Sequence, residues 1–376
     1  MKFIHTSDWH IGRQFHNVSL LEDQRHVLEQ LVGYIAQEAV DALVIAGDIY
    51  DRSVPPASAV EMLDEFISLI VSDMKVPVIM IPGNHDGAER LRFGSRQLQA
   101  AGLHILGDLK QIEQPVVIDG VAFYGIPYND PETVRNLFGL EVSSYNDAHS
   151  ALVEKIKAVR VAGQPSVLIS HCFLDGAAAS ESERPLSIGG VDRVSYEPCK
   201  DFDYVALGHL HSPQHRGEDY IRYSGSILKY SFSERNQKKG ITLVELDENG
   251  LKEIQHLPLR PLRDMRILEG NLQDILDEGK VDPGKEDYLL VRLTDRHAIL
   301  DPMAKLRAAF PNVLHLEKPG MLVTGAQKAD SSMLKRGELE MFRDFFVQIT
   351  GRELSGDQDQ AIQRVLNELE QKEAKT

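Results

Sequence analysis

The sequence predicts an α/β fold, a sandwich built on a mixed sheet, followed by a smaller α/β domain and a helical tail. Three observations predict it. From Met1 to about Arg260, short apolar runs rich in branched residues alternate with patterns of helical period. The alternation resumes on a smaller scale between about 264 and 318. A polar stretch then precedes two amphipathic segments near the C-terminus.

In chain order, strands are predicted at Phe3-Ile4, Ala42 to Ala46, Val76 to Ile81, Val121 to Ile126, Val167 to Ile169 and Tyr204 to Leu207, each closed by a turn residue or polar cluster. Leu28, Leu31, Val32 and Ile35 predict a helix between the first two strands. Val60, Leu63, Phe66, Ile67 and Ile70 predict another, with Pro55-Pro56 before its start. Ile241 to Glu245 reads as a strand, closed by a turn at Glu248-Asn249-Gly250. The smaller domain reads strand, helix, strand, helix, strand: Met265 to Leu268, Leu272 to Leu276, Tyr288 to Leu293, Met303 to Phe310 and Val313 to Leu316. Thr324 to Ser332 forms a polar linker. In the tail, Leu339, Phe342, Phe345, Phe346 and Ile349, then Ile362, Val365, Leu366 and Leu369, place an apolar stripe on each of two helices. The expected domains are residues 1–262, 263–320, a linker at 321–335 and a tail at 336–376.

With 376 residues and 42% hydrophobic content, the chain can form packed cores. No apolar run approaches the roughly 18 residues of a membrane span. Met1 to Asp8 lacks the long apolar stretch of a signal peptide and reads as a strand. Cys172 and Cys199 cannot build a disulfide framework, so a cytoplasmic protein without a membrane partner is expected. A net charge of -16 argues against a general nucleic-acid coat. It does not exclude an enzyme with a locally positive site, since bound divalent ions supply positive charge where a phosphate sits.

The chemistry is written at the strand ends. The first strand runs into Asp8-Trp9-His10, the second into Gly47-Asp48-Ile49-Tyr50-Asp51 and the third into Gly83-Asn84-His85-Asp86. Later strands end at His171 and at Gly208-His209-Leu210-His211. In open α/β sheets, the carboxyl ends of strands form the crevice that receives ligands. Imidazole, carboxylate and amide oxygen together favour Mn, Fe or Zn over an all-oxygen Mg or Ca site. Seven candidate ligands exceed one tetrahedral ion but suit two ions sharing a carboxylate, a recurrent arrangement for phosphoryl chemistry. Singly, each piece has a plainer reading. Asp-x-His recurs by chance, Gly-Asn-His-Asp can be an ordinary turn, and His171 alone reads as a satisfied core histidine. The ordered set, each member following a strand, does not reduce to these.

That set, Asp8-x-His10, Gly47-Asp48-x-x-Asp51, Gly83-Asn84-His85-Asp86, His171 and Gly208-His209-x-His211, resembles the calcineurin-like metallophosphoesterase superfamily. The resemblance implies the metallophosphoesterase β-sandwich flanked by helices, with a small α/β capping domain and a C-terminal helical tail. It implies one metal held by Asp8, His10 and His211, a second by Asn84, His171 and His209, and Asp48 bridging them. His85 would act on the transition state or leaving oxygen, and Asp51 would orient it, unless Asp51 is simply a turn carboxylate. His5 and Trp9 are assigned to packing. The wording Ile4 to Gly12, Ala46 to Asp51, Ala206 to His211, Tyr223-Ser224-Gly225-Ser226 and Phe232-Ser233-Glu234 is similar to the branch of DNA-break-processing nucleases. Ser170-His171-Cys172 departs from a Gly-His pattern but keeps the ligand.

This branch implies manganese-dependent cleavage of DNA, as an exonuclease on duplex ends and an endonuclease at hairpins or blocked ends. It also implies a homodimer and an ATPase partner gripped by the tail helices, although those helices could equally pack within the chain. No G-x-x-x-x-G-K-[ST] sequence is present, so ATP dependence must come from another protein. Arg13, Arg52, Arg90 and Arg92 are the nearest cations for phosphate, or else solvated surface charges. For Leu63 and Phe66, core packing is a simpler assignment than a dimer interface. The alternative enzyme is a phosphodiesterase of the same fold acting on nucleotides or small diesters. A scaffold would have lost ligands, and a pure DNA-binding module would need no metal.

Overall fold

The computed structural model describes residues 1–183, 192–295, 299–318, 339, 342, 343, 346, 347 and 350–373. The chain divides into two compact units, Met1–Arg266 and Ile267–Thr376.

Twelve strands of the first unit form two six-stranded sheets. In chain order they are Lys2–Thr6 (β1), Ala42–Ala46 (β2), Val78–Ile81 (β3), Leu103–Ile105 (β4), Val116–Ile118 (β5), Val121–Ile126 (β6), Ser166–His171 (β7), Tyr204–Gly208 (β8), Gln214–Arg216 (β9), Glu218–Tyr223 (β10), Gly240–Asp247 (β11) and Gly250–Pro258 (β12). One sheet has the order β12-β11-β1-β2-β3-β4, and the other β9-β10-β8-β7-β6-β5.

Side-chain alternation along each strand separates an inner core from two outer ones. Phe3, Val44, Ala46, Ile79 and Ile81 of the first sheet share a core with Phe123, Val167, Ile169, Tyr204 and Ala206 of the second. Leu168, Val205 and Leu207 point the other way, onto Leu152, Val153 and Ile156 of the helix Tyr145–Val159. That helix begins with a capping box, Ser144 and Asp147 exchanging hydrogen bonds with each other's backbone. The helix Leu21–Glu38 buries Val27, Leu28, Leu31 and Ile35.

Parallel pairing aligns the strand ends that matter. β1, β2 and β3 are successive parallel neighbours, so Thr6, Ala46 and Ile81 finish at one edge. β7 and β8 are also parallel, with Gly208 opposite His171.

The strand expected from Val76 begins at Val78, since Pro77 has no N–H for the ladder. The helix expected to reach Ile70 is α-helical over Ala57–Ser68, and Ile70 falls in a π-helical turn, Leu69–Asp73. Leu63 and Phe66 are buried in this element.

In the second unit, a three-stranded sheet is built from Met265–Gly270, Tyr288–Leu293 and Val313–Glu317, with Tyr288–Leu293 central. Helices Leu272–Glu278 and Pro302–Ala309 complete its core through Leu272, Ile275, Leu306 and Phe310. The expected linker 321–335 lies outside the described residues, as do Phe345 and Ile349 and the side chain of Leu369. A helix spans Gly356–Glu373, and Arg343 makes two hydrogen bonds of 2.6 Å to Asp359 at its start. Among the described residues, no helix is long and apolar enough to cross a membrane.

Candidate metal centre

At the shared strand ends the chain turns through conformations that side chains rarely adopt. Asp8, His10, Asp48 and His209 all have positive φ, at 52°, 46°, 49° and 105°. Such strain persists only where the surroundings enforce it, and it concentrates at functional sites. Main-chain bonds enforce it here: Asp8 N–H donates to Gly47 O at 3.0 Å and His10 N–H to Asp48 O at 2.9 Å. The Gln24 side chain adds two more, donating to the carbonyls of Trp9 and His10 at 3.0 and 2.8 Å. The Asp86 carboxylate accepts from Ile49, Tyr50 and Gly83 N–H at 2.9–3.1 Å, tying two of the loops together.

Two glycines permit the approach. A Cβ on Gly208 would collide with Ala46 O, and one on Gly83 with the backbone and carboxylate of Asp48.

These turns bring together all seven candidate ligands and His85. His10 Nε2 and His211 Nε2 face each other at 3.1 Å, with the Asp8 carboxylate beside them. On the other side, Asn84 Oδ1 lies 3.0 Å from His171 Nε2 and 3.2 Å from His209 Nδ1. Asp48 stands between the groups. Its Oδ1 accepts from His85 N–H at 2.8 Å, while Oδ2 lies 3.7 Å from His10 Nε2 and 3.4 Å from His171 Nε2.

The hydrogen bonds behind the rings set which nitrogen is free. His171 Nδ1 meets Ala46 O at 2.9 Å; a carbonyl only accepts, so Nδ1 carries the proton and Nε2 its lone pair. His211 Nδ1 lies 2.6 Å from Ser182 Oγ and 3.2 Å from the buried Glu234 Oε1, directing its Nε2 toward His10.

The electrostatics describe a place for cations. Burial pushes the Asp8 carboxyl up to about 6, against the pull of His171 and His211. Burial lowers His209 to about 3 and His10 well below its ordinary value, leaving neutral imidazoles. Burial opposes charge on His171 as well, but Asp48 outweighs it and raises the ring to about 9. Metal binding displaces protons from such groups. Facing imidazole nitrogens, a carboxylate oxygen shared between two donor sets and an amide oxygen suit divalent transition ions. The residues therefore fit a two-ion centre.

The expectation for Asp51 is altered in detail. His85 Nδ1 is held at 2.9 Å by the Asp51 carbonyl oxygen, not by its carboxylate. The carboxylate instead accepts from Arg13 Nη1 at 3.1 Å and lies 3.7 Å from His10 Nδ1. Of the four nearby arginines, Arg13 is thus tied into the site, Arg92 pairs with Asp108 at 2.8 Å, and Arg52 and Arg90 are exposed. His5 bonds Tyr204 OH and Leu207 O, and Trp9 Nε1 bonds Thr6 Oγ1, both in the core. Sequence reasoning missed Gln24, Asp86, Ser182 and Lys239 as supports; Glu234 lay within a quoted stretch but had no role.

The model for the calcineurin-like phosphoesterases matches residues 1–213. The chain belongs to this family. Among curated phosphoesterases, the SbcD component of the nuclease SbcCD from Staphylococcus epidermidis is 36% identical over 368 residues, 98% of each chain. The protein of the same name in Staphylococcus saprophyticus is 35% identical over 371 residues, again 98% of each. A second model, described as the type 5 capsule protein repressor C-terminal domain, matches residues 261–350 of this phosphoesterase. The crystal structure of TT1561 from Thermus thermophilus covers 69% of this chain and 99% of its own, with a TM-score of 0.41 and 15% identity, too distant to bear on the reaction.

Proposed function

We propose that this chain is a metal-dependent DNA nuclease of the SbcD type, cutting phosphodiesters at duplex ends and at hairpins or blocked ends with an SbcC-like ATPase. Fold and ligands are shared with enzymes acting on small diesters, so they cannot carry the substrate. The observation that carries it is the match to the SbcD component of the nuclease SbcCD across 98% of both chains, including the residues beyond the metal centre.

Asp8, His10 and His211 would hold one divalent ion and Asn84, His171 and His209 the other, with Asp48 Oδ2 between them. The ions supply Lewis acidity to the phosphate. Manganese is the proposed metal, in keeping with the mixed nitrogen and oxygen donors. His85, anchored at Nδ1 by Asp51 O, keeps Nε2 for a phosphoryl oxygen or the leaving oxygen. The Asp51 carboxylate holds Arg13 near the same site.

The domain reading has a phosphoesterase domain to about residue 262, a capping domain to about 320, and a tail from about 336 that grips the ATPase. Supporting the tail assignment, Val365 is 53% exposed and Ile362 and Leu366 are only half-buried. A homodimer is proposed through the apolar groove lined by Val54, Val60, Leu63, Phe93 and Leu98, where Phe93 is 87% exposed. Phe93→Asp should shift a dimer to monomer in sedimentation velocity; an unchanged dimer would rule out this surface.

The function is tested on end-labelled duplex DNA and a chromogenic phosphodiester, with manganese, magnesium or chelator. Manganese-dependent DNA loss supports the proposal. Cleavage of the small diester alone, even with the ATPase partner added, would favour the alternative phosphodiesterase.

A further inference from the structure

Glu234 and Lys239 are fully enclosed, and each aims its charge at His211. Lys239 Nζ pairs with Glu234 Oε2 at 2.6 Å and also donates to His211 O at 2.7 Å, Ser226 Oγ at 2.7 Å and Gln237 Oε1 at 2.7 Å. Glu234 also accepts from Tyr230 N–H at 3.2 Å and from Ser182 Oγ, while its Oε1 lies 3.2 Å from His211 Nδ1. His211 is further held by its own N–H, which donates to Glu183 Oε1 at 2.7 Å. Side chain and main chain of one histidine are thus clamped by a single buried ion pair.

A buried pair gains little net stability over apolar residues of similar volume, so its retention calls for another reason. Geometry supplies one. A carboxylate behind an imidazole fixes its tautomer and raises its basicity as a ligand. The companion ligand His171 has only the Ala46 carbonyl behind it. The two donor sets also differ in charge: Asp8 belongs to the His10–His211 set, whereas the other contributes the neutral Asn84, and Asp48 is shared.

We propose that Glu234 and Lys239 are positioning residues for His211, and that they make the Asp8–His10–His211 side the tighter of two ion sites, filled first. This rests on the two-ion reading above.

The test is calorimetric titration of the metal-free full-length protein with manganese alone. Wild type should show two resolved events. Glu234→Gln should weaken the tighter event about 10–100-fold and leave the weaker one unchanged. Glu234→Gln/Lys239→Met keeps a carbonyl for His211 Nδ1 and leaves no unpaired charge. It should weaken the same event, and it decides the matter if the single variant does not fold. Restoration toward wild type by Glu234→Asp would mark the carboxylate, rather than packing, as the cause. Unchanged affinity, or equal weakening of both events, would overturn the inference while leaving the two-ion reading intact. No binding by wild type would sink both.

Discussion

Asp48→Asn isolates the shared carboxylate at nearly constant volume. Oδ1 accepts from His85 N–H at 2.8 Å, and Oδ2 faces the donor sets through His10 at 3.7 Å and His171 at 3.4 Å. An amide has one oxygen. If it stays on His85 N–H, an NH2 replaces the oxygen facing both ion positions. If the amide flips, two donors oppose one another at His85. Either way one necessary contact is lost, together with a negative charge between two cations. A Lewis-acid contribution of several kcal/mol, about 4 for this loss, corresponds to a fall of roughly a thousandfold in kcat. The metal-free fold should not suffer, since a buried carboxylate is removed and His171 need no longer take a proton to balance it. Turnover of a phosphodiester and manganese stoichiometry would be measured, alongside melting in chelator. Retention of a tenth of wild-type turnover, or two ions bound at wild-type affinity, would refute the bridging role.

His85→Gln should lower kcat about 10²–10⁴-fold with manganese affinity unchanged, because the ring acts beside the ions and not on them; a matching loss of affinity would make it a ligand. Gly208→Ala places a methyl on the Ala46 carbonyl that orients His171. It should cost about 1–3 kcal/mol by chemical denaturation and weaken metal binding, and a wild-type melting curve would contradict the close approach. Burial lowers His149 to about 4, its Nε2 meeting Ser170 Oγ at 3.0 Å. The folded state keeps this ring neutral while the unfolded chain takes a proton below about 6.5. Its contribution is therefore full above pH 6.5 and falls by about 1.4 kcal/mol per unit toward pH 4, roughly 3 kcal/mol in all. Denaturant midpoints from pH 7 to 4 should decline less steeply in His149→Gln, and identical slopes would count against the assignment.

The strand ends carried most of this site into the sequence. Parallel β1, β2 and β3 place Asp8, Asp48 and Asn84 at one edge, and apolar runs marked those strands directly. Supports such as Gln24 and Lys239 were not legible as such, because they act from a helix and a loop across the fold with no periodicity to mark them. Asp51 shows a subtler limit: a sequence names the residue near His85 but not whether its carboxylate or its carbonyl makes the bond. Strand β12 escaped notice for another reason. It lies at a sheet edge with Lys252, Glu253 and Gln255 exposed, so it has no apolar run to read.

The central claim, two ions serving DNA cleavage at one bridged centre, is tested most directly by restoring manganese stepwise to metal-free protein while following loss of end-labelled duplex DNA. Cleavage should stay near baseline through the first equivalent and rise with the second. Full activity at one equivalent, or cleavage undiminished in chelator, would contradict the account.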